Sequence, residues 1–278
     1  MAAPLSKPTV ERERHTLNGW LALVLVVLWF IAAITLFVTT ISQIDGDVPQ
    51  PAFLIARLLT FVLMMALGIF SCFGFFTLEP NEARVLILFG AYKGTVRSSG
   101  FHWANPLYAR HRGVVPGTVP TPKKVKLGPL SVQDGTMTQP KLKTKLSLRV
   151  HNFNSDTLKV NDKRGNPVEI AAVIVWRVED TAQAVFDVED YESYVQVQSE
   201  SAIRSIASLY AYDHGEEHEL TLRGGGDEVA HALKKELEVR LIKAGVVVEE
   251  ARLTHLAYAP EIAQAMLRRQ QADAVIAA

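Results

Sequence analysis

The sequence predicts an α+β protein: a transmembrane helical hairpin at the N-terminus, a mostly-β part, an α/β part and the start of a coiled-coil helix. Three features of the 278-residue chain predict this fold class. Two uninterrupted apolar runs open the chain, β-rich segments punctuated by glycine and proline follow, and helical periodicities then alternate with strands. We expect the tail and hairpin in residues 1–78, with helices at about 20–41 and 54–76, the β part in 79–160, the α/β part in 161–258 and the last helix in 259–278.

The two apolar runs, Trp20–Val38 and Leu58–Phe76, predict two membrane-spanning helices. At ~1.5 Å per residue each run reaches ~28 Å, close to the thickness of the hydrocarbon core of a bilayer. A cleaved signal peptide is one alternative for the first run, but signal sequences have apolar stretches of only ~7–15 residues. A hairpin that enters the bilayer without crossing it is a second alternative, but two full-length apolar helices have no reason to stop midway.

The placement of lysine and arginine predicts the orientation of this hairpin. The N-terminal tail carries Lys7, Arg12 and Arg14, whereas the turn at Thr39–Pro51 contains two aspartates and neither Lys nor Arg. Arg57 is the exception, and its long side chain can reach the interface from the second helix. We therefore expect a multi-pass protein of the cell (inner or plasma) membrane, with its N-terminus and its soluble parts in the cytoplasm.

Charge divides the soluble parts into two blocks. Residues 79–160 contain 13 Lys and Arg against 4 Asp and Glu, and residues 161–278 contain 12 against 21, so the two blocks carry +9 and −9. A basic block beside the membrane is attracted to the anionic cytoplasmic leaflet, and it can also face the acidic block of a second copy. We predict lipid or subunit contacts for Lys123, Lys124, Lys126, Lys141, Lys143, Lys145 and Arg149.

The alternative explanation of these lysines is the solvated face of ordinary strands. Nucleic-acid binding is not predicted, because neither a recognition helix nor interleaved aromatic residues accompany the basic clusters.

In the mostly-β part, the pattern predicts a strand at Ala83–Phe89 and a half-buried strand at Leu142–Arg149. The α/β part begins with a turn at Gly165-Asn166-Pro167, followed by Val168–Val178, a β-rich segment that is apolar on both faces. Such a strand is expected to be covered by helices or by a second sheet. Helical spacing and caps then predict three helices, at Thr181–Val188, Asp190–Tyr210 and Asp227–Ala244. The third helix carries an apolar stripe of Val229, Leu233, Leu237 and Leu241. A further strand is predicted at Val246–Leu256.

The last stretch, Pro260–Ala278, predicts a helix, since proline followed by glutamate suits a first helical turn. It has no stop signal, and we expect the natural chain to continue beyond it. Seven-residue spacing predicts an oligomerisation seam at Ile262, Ala265, Met266, Arg269, Ala272 and Ile276, although under three heptads alone do not establish a coiled coil.

The residues that could carry chemistry form no recognised site. His214 and His218 stand four apart, but Gly215 interrupts a helix there and the metalloprotease order of His and Glu is absent, so we interpret them as a solvated loop. Gly224–Gly226 lacks the Lys-Ser or Lys-Thr of a phosphate loop and instead precedes a helix. Cys72 is the single cysteine, interpreted as a small lipid-facing or helix-packing residue, with palmitoylation as the alternative. We predict no catalytic, cofactor-binding or metal-binding residues and no enzyme activity.

Four segments resemble the SPFH superfamily, also called band 7, which includes stomatins, prohibitins and flotillins. The strongest match is the segment from Ala251 to Ala274, which resembles the junction between the SPFH domain and its coiled coil. Gly165–Val178 resembles the central strand of the family, Gln198–Arg204 its long helix and Gly100–Pro106 an early turn. The resemblance covers about residues 79–278. The anchor departs from the family pattern, because many relatives have one helix or a shallow hairpin.

The resemblance implies large homo-oligomeric rings or cages at the membrane, organisation of membrane microdomains and regulation of client membrane proteins, sometimes membrane proteases. It implies no catalytic residues and no cofactor. We expect a membrane-anchored scaffold whose partners are other copies of the chain, membrane lipids and client membrane proteins. The alternatives are an accessory or regulatory subunit of a membrane protease complex, an enzyme that uses His214 and His218, and an interaction module for one partner that does not self-assemble.

Overall fold

The computed structural model of the chain describes residues 8–44, 51–109, 144–213 and 220–277. The chain divides into two compact units. We call Arg12–Leu146 the hairpin unit, and Met1–Glu11 together with Ser147–Ala278 the α/β unit.

The hairpin unit begins with a short strand, β1 (Leu17–Asn18), and two long helices, α1 (Gly19–Ile44) and α2 (Pro51–Cys72). Both helices are long and apolar enough to cross a membrane, as the sequence predicts. The second helix ends at Cys72 rather than at the predicted Phe76, because the last part of the apolar run forms a strand, β2 (Phe75–Leu78). An apolar run does not distinguish a helix from a short strand that continues it.

The two helices lie antiparallel and contact each other through aromatic and small side chains. The indole N–H of Trp29 donates to the Met64 carbonyl at 2.9 Å, and the rings of Phe37 and Phe61 stack with centroids 4.7 Å apart. A Cβ at Gly68 would lie 2.8 Å from the Phe30 ring, so this glycine permits the close approach of the helices.

Two small sheets complete the hairpin unit. One has the strand order β1-β5-β2, with β5 at Gly100–Trp103. The other has the order β4-β3-β6, formed by β3 (Glu82–Leu88), β4 (Ala91–Val96) and β6 (Lys145–Ser147). The strands predicted in these two regions are therefore present, with β6 shorter than predicted among the described residues. Leu78, Leu86 and Val96 form the buried core, with Phe76 and Tyr108 packed against it.

The α/β unit is built on one antiparallel sheet. Its strands are β7 (His151–Asn154), β8 (Leu158–Asn161), β9 (Pro167–Val178) and β10 (Val246–Tyr258), in the order β10-β9-β7 with β8 also paired to β9. The α/β unit includes Ser147 and with it β7, a strand that lies in the predicted mostly-β part, residues 79–160. The reason is pairing, because β7 and β8 both use β9 as their partner.

Four helices accompany this sheet: α3 (Thr181–Phe186), α4 (Tyr191–Leu209), α5 (Gly226–Leu241) and α6 (Pro260–Ala277), with a 3₁₀ turn at Ile242–Ala244 after α5. Their positions agree with the sequence predictions within a few residues. The α5 stripe of Val229, Leu233, Leu237 and Leu241 is fully buried. On β9, Ile170, Ile174 and Trp176 are buried on the same inner face.

The outer face of β9 differs from our expectation. Val173 and Val175 are only half-buried, and their neighbours on the adjacent strands are polar. Val173 lies between Asn154 and Arg252, and Val175 lies between Asn152 and Glu250. An antiparallel sheet can leave one face in water, and β-branched residues suit such a half-buried surface. The described residues thus cover the inner face of β9 and only part of its outer face, where Ala171 is buried but Val173 and Val175 are not.

Candidate functional site

The strands at the base of the hairpin bring its two ends together. β1 directly precedes α1 and β2 follows α2, and both pair with β5 in the same sheet. A chain that leaves a sheet through one long helix and returns to it through a second must place the start of the first helix and the end of the second helix at that sheet. The sheet therefore holds the start of α1 and the end of α2 at the same end of the hairpin.

Aromatic side chains cluster at this base, a feature that the sequence analysis missed. The rings of Phe75 and Phe101 stack at 5.3 Å, the Trp20 ring meets Phe101 edge-on at 5.6 Å, and the Trp103 indole donates to the Ser71 carbonyl at 3.0 Å. Trp20 remains 68% exposed. Trp and Phe with this exposure at the ends of apolar helices are typical of the membrane–water interface. We name Trp20, Phe75, Phe101 and Trp103 the aromatic collar.

The N-terminal tail is bound by folded parts of the chain. In the hairpin unit, the Arg14 N–H donates to the Thr95 carbonyl at 2.9 Å, and the Thr95 N–H donates to the Arg12 carbonyl at 2.8 Å. In the α/β unit, the Thr9 hydroxyl donates to Asp187 at 2.6 Å. The Glu11 carboxylate accepts from the Thr181 N–H at 2.8 Å, at the first residue of α3. The bonds of Arg12 and Arg14 hold the segment before β1 beside β4 in the hairpin unit, whereas the bonds of Thr9 and Glu11 belong to the α/β unit.

Five of the predicted lipid- or subunit-contacting residues, Lys123, Lys124, Lys126, Lys141 and Lys143, lie outside the described residues. Lys145 lies in β6 and forms an ion pair with Glu82, Nζ to Oε2 2.5 Å, which reduces its availability to an outside anion. Arg149 is exposed just before β7. The contact role of the basic block thus stays a prediction.

The predicted seam of the terminal helix is divided by the packing of α6. Ile262 and Met266 are half-buried, whereas Ala265 and Arg269 are exposed. Met266 and Arg269 line a small cleft against the β8–β9 turn and the end of β10. Leu267 projects outward with 56% of its surface exposed. The side chains of Ala272 and Ile276 lie outside the described residues, so part of the predicted seam contacts its own domain.

The start of α6 is fixed by contacts within the α/β unit. The Ala259 N–H donates to the Pro167 carbonyl at 2.9 Å, which ties the end of β10 to the start of β9. The Lys159 ammonium lies 2.5 Å from the Glu261 carboxylate in the first helical turn. The hydrogen bond from Lys159, followed by backbone hydrogen bonding, lowers the pKa of Glu261. The direction in which α6 leaves the domain is therefore set by the sheet.

Beneath α6, a buried carboxylate holds two loops together. Asp162 is 5% exposed and accepts from the backbone N–H groups of Arg164 at 2.9 Å, Asn166 at 2.8 Å and Tyr212 at 3.1 Å. The side-chain amide of Asn166 adds a fourth bond at 3.2 Å. The β8–β9 turn and the segment after α4 are thus joined through one side chain.

The end of β10 carries a tyrosine that belongs to the same cleft. The Tyr258 hydroxyl donates to the Asp213 carboxylate at 2.7 Å, and the Tyr258 and Tyr212 rings lie with centroids 4.0 Å apart. Burial, followed by the hydrogen bond to the Asp213 carboxylate, raises the pKa of Tyr258. The phenol therefore stays protonated and keeps its role as a donor at neutral pH.

Of the residues that the sequence analysis considered for chemistry, the structure describes Cys72 and Gly224–Gly226. Within the part of the chain that the structure describes, no cluster of three or more His, Cys, Asp or Glu could hold a metal ion. His214 and His218 lie outside that part. Cys72 is a free, exposed thiol at the end of α2.

Comparison with known proteins identifies the family of the chain. No curated protein matches the sequence. The family model of the SPFH domain / Band 7 family matches residues 76–278, from β2 to the end of the chain, well over half of its length. Members of this membrane-associated family are generally non-enzymatic scaffolds. With its two apolar helices and this match, the protein is a membrane protein that belongs to the SPFH domain / Band 7 family.

Proposed function

We propose that the protein is a membrane-anchored, homo-oligomeric scaffold of the stomatin/prohibitin type. Many copies assemble into rings or cages that organise a membrane microdomain and regulate the client membrane proteins inside it. The observation that supports this most directly is the β1-β5-β2 sheet, which attaches the SPFH domain to both ends of a two-helix anchor. In this proposal the arrangement of the SPFH domains determines the arrangement of the helices in the bilayer.

In this proposal the aromatic collar lies in the interfacial layer and holds the domain against the lipid surface. The excess of Lys and Arg on the tail side of the hairpin favours the cytoplasmic leaflet for this contact. The basic block of residues 79–160 then lies next to anionic headgroups, which attract such residues by about 1 kcal/mol each.

Neighbouring copies contact through two complementary features. The +9 and −9 blocks favour an arrangement in which unlike parts of adjacent copies meet. The outward face of α6 offers Leu267, an exposed apolar side chain on a helix whose direction the sheet fixes. A membrane protease is one of the clients that such a ring could enclose, so the accessory-subunit alternative is the same scaffold with a specific client.

The outward face of α6 provides a direct test of self-assembly. Leu267→Glu places a charge where a neighbouring copy would bury an apolar side chain, so the assembly extracted in mild detergent should become smaller by light scattering. Gln264→Glu is the matched control, since it adds the same charge to an exposed position of α6 without removing apolar surface. A wild-type particle of only one or two chains would refute the proposal.

A further inference from the structure

A groove of about 190 Å³ lies between the C-terminal part of α1 and the N-terminal part of α2. Its walls are apolar: Phe37 and Ile41 from α1, and Leu54, Leu58 and Phe61 from α2. Arg57 lies at its edge. The volume is below the roughly 300–1,000 Å³ of sites that enclose a drug-sized molecule, so the groove fits a stretch of hydrocarbon chain better than a whole cofactor.

Arg57 is the only Lys or Arg in either helix, and neither helix contains Asp or Glu. It follows Pro51 by six residues, which places its Cα about 9 Å along the helix axis. Its guanidinium donates to the Gln43 side-chain carbonyl at 2.6 Å and lies 4.8 Å from the centroid of the Phe53 ring. The described residues supply no carboxylate to it. An intramembrane charge in this position requires a partner, and a neutral amide uses only one of five N–H donors.

We propose that this groove binds one anionic phospholipid, with an acyl chain between α1 and α2 and the phosphate on the Arg57 guanidinium. The planar fork of arginine matches phosphate oxygens, and the apolar walls match a hydrocarbon chain, so the site is complementary to both parts of the lipid. A second copy of the hairpin fits less well, because its helices would bring another Arg57 and no negative charge.

The inference rests on the part of the proposed function that places the hairpin across the bilayer, and it is independent of ring assembly. Lipid retention and membrane insertion are therefore measured separately. If a variant no longer remains in the membrane after alkaline carbonate extraction, the proposed anchor is wrong. If it remains in the membrane, only the lipid site is under test.

The experiment uses the full chain in nanodiscs that contain phosphatidylglycerol and phosphatidylcholine with the same acyl chains. Native mass spectrometry then measures the enrichment of phosphatidylglycerol on the released protein. We expect Arg57→Gln to reduce this enrichment by about tenfold, the factor for loss of one charge-assisted hydrogen bond. Arg57→Lys should keep part of it. Arg223→Gln, which removes one charge from an exposed loop residue outside the hairpin, is the matched control and should leave the enrichment unchanged.

Ile55→Trp tests the chain-binding half of the proposal, because it fills the groove without changing charge. We expect it to reduce retention of both lipids. Equal phosphatidylglycerol enrichment in the wild type and Arg57→Gln would overturn the proposal. So would displacement by inorganic phosphate alone, which would indicate a site for the phosphate group without a chain. A gain of enrichment in Asp45→Asn/Asp47→Asn would also contradict it, because the turn carboxylates would then be the partners of Arg57.

Discussion

Asp162 joins the β8–β9 turn to the segment after α4 through bonds from four N–H donors. Replacing this buried carboxylate by an amide would be unfavourable, because the NH₂ group of the amide would face backbone N–H groups that need an acceptor. The chain sequence offers no sign of this role, since Asp162 is one of many acidic residues in an acidic block. Its partners are 2 to 50 residues away.

We predict that Asp162→Asn destabilises the loops around it by about 3 kcal/mol, the cost of leaving buried donors unpaired. Hydrogen exchange of the backbone amides at residues 163–166 and 211–213 in the full-length protein measures this change. Asp156→Asn is the control at an exposed position, where a change within about 0.5 kcal/mol is expected. Equal exchange in both variants would show that the Asp162 bonds are not needed.

Tyr258 provides a prediction of pH dependence. Its pKa is raised in the folded protein, so folding favours the protonated phenol. The resulting stability is present below the unfolded pKa of about 10 and is lost as the pH rises through the folded pKa. We expect the melting temperature of the wild type to approach that of Tyr258→Phe above pH 10. Asp213→Asn, which keeps the size of the acceptor but removes its charge, should weaken this trend. A difference that stays constant from pH 8 to pH 11 would contradict the assignment.

At the scale of elements, the aromatic collar is the feature with the clearest consequence. We predict that lipids brominated close to the headgroup quench tryptophan fluorescence of the protein in vesicles. Trp20 and Trp103 should account for much of this effect, so a Trp20→Phe/Trp103→Phe variant should be quenched less. Trp176→Phe is the matched control, because Trp176 is only 4% exposed within the α/β unit. Unchanged quenching in the double variant would place the collar away from the interface.

Elements with a strong local pattern could be predicted from the sequence, and those made by distant pairing could not. The stripe of α5 and the long strand β9 follow periodicities within one segment. The β1-β5-β2 sheet joins strands of two to four residues that lie up to 86 positions apart, so neither its pairing nor the end of α2 is visible locally. Whether Met266 faces a neighbouring copy or its own domain likewise depends on tertiary packing.

The candidate site likewise has features that follow from the local sequence and features that depend on tertiary packing. The two apolar helices and the family resemblance follow from residue type and order, and the family match confirms the resemblance. The groove beside Arg57 depends on how the two helices pack against each other. The sequence shows that a charged residue interrupts an apolar run, but it does not show that a groove lies beside that residue. The basic residues from Lys123 to Lys143 remain predicted contacts.

At the scale of the whole molecule, we propose that the output of the protein is the position of many copies in a membrane. In this proposal the two apolar helices supply the attachment, the SPFH domain supplies the repeated part, and the charge blocks supply complementary surfaces. Because ions screen attraction between charged surfaces, salt should weaken contacts between copies more than it weakens attachment to the bilayer, where apolar burial dominates.

Electron cryotomography of native membranes that contain the full-length protein tests the central claim most directly. We predict closed arrangements of many identical copies that surround a patch of bilayer on its cytoplasmic side. Isolated protomers spread through the membrane at native abundance would contradict it.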